Sequence, residues 1–299
     1  MRGGVYVSCT MKNTKPASLV SALWALWALC VIGAATPLQS QIAAVAVDSA
    51  RIDSTDPRAA QPERPTVATH AYTVSPGFAE LEAGIQVMRP AGENALAVPL
   101  VLKLGITPST QFDLVGGYER YSAAGVTTSG QSDFALALKQ RILRKAPLLE
   151  DFSVQASVKF PSGARGVTTS TNDYSILLIS SRTLGSVELD LNAGYTRRSG
   201  DGSVAPINST VLTASLGGAI AGPLGGTVEL FGYPATSGAS GSPTSLGSVI
   251  ALSYQLQKWL VLDAGTIVNV RNLGANAVVA GFTYNMGRVP GFPTNSGTR

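Results

Sequence analysis

The chain has 299 residues, of which 45% are hydrophobic and only 13% are charged, with 32 glycines, 2 cysteines and 1 histidine. This composition argues against a helical bundle and against a charged, disordered chain. One histidine and so little cysteine also leave few parts for a metal site or for a nucleophile–histidine pair. We therefore expect no metal, no cofactor and no catalytic residues.

The formal net charge of +4 depends on the start of the chain, because residues 1–35 hold three basic residues and no acidic one. Without them the balance is 19 basic against 18 acidic residues, a net charge of +1. Nucleic-acid binding needs a stronger positive field than this. We expect no nucleic-acid partner.

Residues 1–35 have the regions of a secretory signal peptide. Two lysines precede an apolar run at 19–35 that ends in small residues. We expect cleavage near Ala35, with Met11 as an alternative start of translation. An uncleaved signal anchor is the other reading, but the run is at the lower limit of about 17 residues for a spanning helix. Both cysteines lie in this leader.

Residues 36–77 contain several prolines and scattered Asp and Arg, and they show no sustained period of 2 or 3.6 residues. Such a stretch is typical of a linker. We expect a flexible periplasmic linker over 36–77.

From residue 78 the chain repeats one pattern, a segment of about ten residues that alternates apolar and polar side chains, followed by a break rich in Gly, Ser, Thr, Pro or Asn. Alternation of this kind separates two faces only in a β-strand. Twelve segments are predicted as strands: 78–87, 97–107, 110–121, 132–144, 151–160, 173–183, 186–196, 210–220, 225–233, 245–255, 260–270 and 276–286.

The segment length separates a membrane barrel from a soluble sandwich. Sandwich strands have a mode of about 5 to 6 residues, whereas tilted strands that cross a bilayer need about 9 to 11. The breaks also alternate between long polar loops and short turns, and most aromatic residues fall near strand ends on the apolar face. These features are typical of outer-membrane barrels. We predict a closed antiparallel 12-stranded transmembrane up-and-down β-barrel at 78–288, with a C-terminal tail at 289–299.

Opposed residues share a face, which predicts two pairings. A three-residue turn at 107–109 places Lys103 opposite Asp113, where we expect a lumenal salt bridge.

The second predicted pairing lies on the lipid face. A two-residue turn at 184–185 places Tyr174 opposite Tyr195.

The barrel segments also resemble a known family, the outer-membrane barrels grouped under the meta-pathway of phenol degradation and often described as transporters. The resemblance begins at YTVSPGFAELEAGI (72–85), continues through VPLVLKLGITPSTQFDLVGGYE (98–119), SVQASVKFPSGA (153–164) and LDLNAGYTR (189–197), and ends at VVAGFTYNMG (278–287). It implies a passive channel in the outer membrane of a Gram-negative bacterium for small solutes such as aromatic compounds.

The polar face supplies the residues that are predicted to line the lumen. They are Glu80, Glu82, Lys103, Asp113, Glu119, Asp133, Lys139, Arg141, Lys159, Glu188, Asp190, Glu229 and Asp263. Carboxylates exceed bases in this set, which favours cations or neutral polar solutes over anions. The alternative is that these groups pair with one another and fill the lumen.

The predicted function is a porin-like channel or transporter, and the expected partners are outer-membrane lipid, a small-molecule solute and the barrel-assembly machinery. The alternative is a plugged structural or surface-interaction barrel without transport. A lipid-hydrolysing barrel is not expected, because it requires a His bonded to a Ser and the only histidine, His70, precedes the first strand.

Overall fold

A computed structural model describes residues 56–89, 93–147 and 149–292. The predicted signal peptide, residues 36–55 of the predicted linker and the end of the C-terminal tail lie outside the described residues. Within them, no helix is long and apolar enough to cross a membrane.

The described chain forms thirteen strands joined by turns and loops. They are β1 (Phe78–Met88), β2 (Glu93–Thr107), β3 (Thr110–Ala123), β4 (Val126–Gln131), β5 (Phe134–Ala146), β6 (Glu150–Phe160), β7 (Asp173–Leu184), β8 (Val187–Arg198), β9 (Asn208–Ala221), β10 (Leu224–Tyr233), β11 (Ser245–Gln257), β12 (Leu260–Arg271) and β13 (Ala277–Arg288).

The sheet closes on itself. β1 pairs antiparallel with β2 on one side and with β13 on the other, and the other strands pair in chain order except that β3 pairs with both β4 and β5. Closure leaves no edge to be exposed to lipid. The predicted closed antiparallel barrel is confirmed.

Thirteen strands make twelve positions in the barrel wall because β4 and β5 share one of them. Both pair with β3, β4 with its second half and β5 with its first half. The sequence after 121 was expected to be a polar loop, but β3 continues and turns tightly into β4. Ala124 and Gly125 form this turn, each with a positive φ, as a two-residue hairpin of the I′ type requires.

The Tyr174–Tyr195 pairing is wrong by two residues. Tyr174 lies opposite Arg197, and Tyr195 lies opposite Ile176. The turn consists of residues 185–186 because Gly185, with a φ of 66°, takes the first turn position. A type II′ turn places its glycine there. Because the register shifts by two residues and side chains alternate faces every residue, both tyrosines stay on the outer face.

The outer face of the wall is apolar and exposed. Ile250 and Leu252 of β11, Leu230 of β10 and Ile176 of β7 all point outward. The alternate positions of the same strands are buried inside, and they include the polar residues Glu229 of β10 and Ser181 of β7. This arrangement suits a barrel surrounded by acyl chains and is the reverse of a soluble sandwich.

Residues 56–77, called here the inner segment, are not a free linker. They form no helix or strand, yet they bond to inward side chains of β1, β8, β10 and β13. A single segment can reach inward side chains all round the wall only from inside the barrel. The expectation of a flexible periplasmic linker is therefore wrong for residues 56–77, since their backbone is bound in the lumen.

An outward charge tests the lipid-facing assignment. Ile250→Arg is expected to destabilise the barrel by about 2–4 kcal/mol, because Ile250 lies near the middle of β11 on the outer face and an arginine there meets hydrocarbon. Val204→Arg, in the exposed loop between β8 and β9, is the matched control and should change little. Urea unfolding in lipid vesicles measures both, and equal small effects would contradict the assignment.

Candidate functional site in the barrel lumen

The structure places the predicted lumen residues on the inward face at two degrees of burial. Those that are buried are Glu80, Glu82, Lys103, Asp113, Asp133, Lys139, Arg141, Glu229 and Asp263, and those that are partly buried are Glu119, Lys159, Glu188 and Asp190. Glu119 lies apart from the rest near the end of β3, where it accepts a hydrogen bond from Tyr121.

Three buried glutamates hold the first half of the inner segment by its backbone. Glu80 accepts the N–H of Gln61 at 2.7 Å, and Glu82 accepts the N–H of Glu63 at 2.7 Å. Glu229 of β10 accepts two N–H groups, those of Val67 and Ala68, both at 2.9 Å. Hydrogen bonds from N–H groups to carboxylates are stronger than neutral ones.

Neutral side chains hold the second half. Asn192 of β8 both accepts the N–H of Thr69 at 2.7 Å and donates to its carbonyl at 2.9 Å. Ser181 accepts the N–H of Ala71 at 2.7 Å, and Ser153 donates to the carbonyl of the same residue at 2.5 Å. The wall thus supplies the hydrogen bonds that a strand partner would give.

Both ends of the inner segment lie at the side of the short turns. The N–H of Ala60 bonds to the carbonyl of Lys258 in the turn between β11 and β12. The N–H of Val74 bonds to Gln111 near the start of β3. Between these points the segment reaches Glu229, in the middle of β10. The segment therefore forms an arch across the lumen.

An ion network fixes the arch to β1, β2 and β5. Lys103, with 1% of its side chain exposed, contacts Glu82 at 2.7 Å, Glu80 at 3.2 Å and Glu63 of the inner segment at 3.4 Å. Lys139 also pairs with Glu63. Burial raises the pKa of Glu63, but the two lysines lower it by more than burial raises it. The pKa of Glu63 therefore lies well below its usual range. Glu63 is therefore ionised and bridges both lysines.

The expected Lys103–Asp113 salt bridge is wrong, although the register is right. The two residues are opposite each other on β2 and β3. Lys103 turns instead toward Glu80 and Glu82, while Asp113 accepts hydrogen bonds from Gln111 and Gln155. The inner segment adds Glu63 to the side of the lysine and so makes that cluster the better partner.

Arg64 explains two glycines of the wall. Its guanidinium lies 3.5 Å from Asp263 and donates to the carbonyl of Ala280. A Cβ on Gly84 would stand 2.2 Å from Nη2 of Arg64, and one on Gly281 would stand 2.6 Å from Nε. Side chains at either position would collide with the arginine and with a backbone carbonyl, that of Ala280 or of Ala83.

His70 and Tyr72 form the other end of the arch. Their rings are 5.3 Å apart, and the guanidinium of Arg141 lies 4.8 Å from the Tyr72 ring. Arg141 itself pairs with Asp151. Neither ring nitrogen of His70 has a hydrogen-bond partner among the described residues. His70 is therefore buried in the lumen and is not the free linker residue that was expected.

Beyond the arch, the inward face of β10 to β12 is apolar. Val249 lies opposite Glu229 on β10 and Ile267 on β12. It is packed with Phe231, the next inward residue of β10, and with Leu273 from the loop between β12 and β13. A Cβ on Gly247 would stand 2.4 Å from the Phe231 ring, so this glycine makes room for it.

The long loop between β6 and β7 is tied to the broken wall position between β4 and β5. Asp133 accepts the N–H of Gly163 at 2.9 Å and pairs with Lys159 at 2.5 Å. Asp173 pairs with Arg198 at 3.3 Å and lies 3.7 Å from Lys159. Gly163 thus ties the loop to the break at Asp133, and the ion pairs link Asp133 with β6, β7 and β8.

The family of the chain follows from a match over residues 63–281 to the family described as "Putative MetA-pathway of phenol degradation". The match covers most of the chain and includes most of the inner segment. The chain belongs to this family. It is the same family that the barrel segments resemble in the sequence. A comparison with curated protein sequences gave no significant match.

Solved structures share the fold. An outer membrane channel from Pseudomonas putida F1 is 10% identical, with a TM-score of 0.57 over 74% of this chain and 100% of its own. A NanC porin is 11% identical, with a TM-score of 0.49 over 68% and 98%, and a KdgM porin in complex with oligogalacturonate is 13% identical, with 0.46 over 69% and 98%. The TM-score of 0.57 shows that this chain has the fold of the first of these, an outer membrane channel.

Sequence reasoning missed the inner segment as part of the lumen. Its anchors are main-chain groups, which leave no side-chain period to detect. The available signal was its set of small apolar residues, Ala59, Ala60, Ala68 and Ala71, all of which are buried. Alanine is an unusual choice for a solvated linker at so many positions.

Removing the central lysine tests the ion network. Lys103→Met is expected to destabilise the folded protein by about 3–5 kcal/mol, because it leaves Glu80, Glu82 and Glu63 without their shared cation. Lys258→Met is the control, since Lys258 is largely exposed at the rim. Urea unfolding in vesicles measures the difference. A Lys103→Met protein as stable as the control would contradict the network.

Proposed function

We propose that the protein is a passive outer-membrane channel for small solutes, including aromatic compounds, and that the inner segment closes its lumen. The observation that carries the proposal is the position of this segment, which is held in the lumen by hydrogen bonds to wall side chains and not by continuous sheet pairing. Each such bond contributes only about 0.5–1.5 kcal/mol net, or about 1.5–3 where a carboxylate accepts. Water can replace these partners when the segment moves.

The apolar inward face supports the aromatic part of the proposal. Porin lumens are generally polar, whereas Phe231, Val249 and Ile267 here point inward beyond the arch. Such side chains offer contacts to an apolar ring and none to a sugar or an ion. The description of the family, which refers to phenol degradation, agrees with a solute of this kind.

The excess of carboxylates over bases in the lumen predicts cation selectivity, but the contacts of these carboxylates do not support it. Glu80, Glu82 and Glu229 accept backbone N–H groups, and Asp133 and Asp173 pair with bases. The fixed negative charge that a solute meets is therefore smaller than the sequence suggests. We expect weak discrimination between ions.

The second candidate is a structural or surface-interaction barrel without transport. The density of contacts between the inner segment and the wall favours it, since a permanently filled lumen would show the same bonds. Catalysis is not part of either proposal, because the unpartnered ring of His70 gives no Ser–His pair. Assembly by the barrel-assembly machinery and contact with outer-membrane lipid belong to both.

Weakening one anchor separates the two candidates. Glu229→Gln keeps the shape of the side chain but removes the charge and one of its two acceptors for the N–H groups of Val67 and Ala68. We expect the influx of phenol-sized aromatic solutes into liposomes to rise on the order of tenfold, since about 1.4 kcal/mol is tenfold in an equilibrium.

Glu119→Gln is the matched control, because Glu119 lies near the end of β3 and accepts a hydrogen bond from Tyr121 instead of holding the inner segment. Its influx should equal that of the unchanged protein. If the Glu229→Gln protein is folded and as impermeable as the control to aromatic solutes and to small sugars alike, the channel proposal fails and the filled structural barrel stands.

A further inference from the structure

His70 is the only histidine of the chain, and it lies in the inner segment with 3% of its surface exposed. Neither Nδ1 nor Nε2 has a hydrogen-bond partner among the described residues. A buried polar ring without partners costs free energy even when neutral, and more when it is charged. This position therefore disfavours the protonated form of the ring.

The charged groups around His70 come from three elements. Lys139 of β5 donates to the His70 backbone carbonyl at 3.2 Å, and its side chain is fully buried. Lys103 of β2 adds a second positive charge, and Glu63 of the inner segment is the facing anion. Glu63 is already shared by both lysines. If the ring of His70 were protonated, three positive charges, those of His70, Lys103 and Lys139, would share the single carboxylate of Glu63.

We propose that His70 makes closure of the lumen sensitive to acid, so that the inner segment leaves its seat in the lumen more readily as the pH falls. The inference rests on the proposed role of this segment in closing the channel and adds its regulation. It names no new partner, because the trigger is the proton.

The sign follows from the two positions of the ring. In the seated segment, burial and the two lysines outweigh Glu63 and the nearby backbone of Gln61, and they lower the pKa of His70 to about 3 from its ordinary 6.5. In the released segment the ring is hydrated and keeps the ordinary value. Protonation between these values occurs in the released state alone. Retention is therefore complete above about pH 6.5 and declines as the pH falls toward 3.

The lumen carboxylates also titrate on acidification. Glu80, Glu82 and Glu229 accept backbone N–H groups of the segment, and any loss of their charge changes the same equilibrium whatever residue stands at position 70. The contribution of the histidine is therefore the difference between the unchanged protein and a variant with a neutral residue there. His70→Gln is the matched variant, since glutamine is of similar size and does not titrate.

The experiment measures release by thiol labelling of the full chain in liposomes, with Cys9 and Cys30 replaced by serine. Ala68→Cys places one thiol on the buried part of the inner segment, and Ser203→Cys places one on an exposed loop to correct for the pH dependence of the reagent. Dithiodipyridine reacts with thiols in acid as well as at neutral pH. The ratio of the two labelling rates reports how often the segment is released.

We expect this ratio to rise about a hundredfold between about pH 7.5 and pH 4.5 because of His70. This is the factor by which a histidine pKa of 6.5 in the released state and of about 3 in the seated state favours release at about pH 4.5. With His70→Gln that part of the rise should be lost. An equal rise with and without His70→Gln overturns the inference.

A direct titration guards against a variant that does not fold. The chain has one histidine, so a single imidazole resonance in labelled protein reports its protonation without ambiguity. A midpoint near 6.5 while the Ala68→Cys thiol stays protected also overturns the inference. If labelling follows the pH as expected but no solute passes at any pH, the channel proposal fails and the acid response of the segment remains.

Discussion

Burial of an irregular backbone is possible only if its N–H and C=O groups find partners, and this requirement organises the lumen. The inner segment forms neither helix nor strand, so it cannot satisfy itself. Glu80, Glu82 and Glu229 accept from it, Asn192 does both, and Lys103 and Ser153 donate to its carbonyls. The polar alternation of the strands, which a soluble protein would turn to water, is here the binding surface for another part of the same chain.

The same requirement explains why the charges of the lumen are arranged as they are. Carboxylates without a base or a donor would be costly inside a barrel that is surrounded by lipid. Glu63 and Arg64 enter from the inner segment and meet Lys103, Lys139 and Asp263 on the wall. The wall and the segment are therefore complementary, since Glu63 meets the two wall lysines and Arg64 meets Asp263.

Much of the barrel could be predicted from the sequence, because alternation is a local property. Strand positions followed from it, and so did the register of Lys103 with Asp113. The Tyr174 register failed because alternation cannot tell which turn position Gly185 occupies, and a type II′ turn moves the pairing by two residues. A register error of two residues leaves each side chain on the predicted face of the sheet but changes the residue that lies opposite it. Polarity predicted which side chains point inward, and their role as the lining of a conducting lumen stays a prediction.

The inner segment could not be predicted in the same way, since what holds it is spread over many strands. Thr69 is bound by Asn192, 123 positions further along the chain, and Ala59 is bound by Asn285, 226 positions away. These contacts use main-chain atoms that every residue possesses. Only a closed wall brings their partners together, so the site comes into existence with the fold.

The hairpin of β3 and β4 is independent of these interior contacts. β4 is paired along β3 alone, its side chains are mainly Thr, Ser and Gln, and its tip at Ala124 and Gly125 faces open space at the glycine. Loop tips of this kind tolerate added residues. A foreign peptide grafted there would be displayed on the side of the long loops, which gives the protein a use as a carrier of surface epitopes.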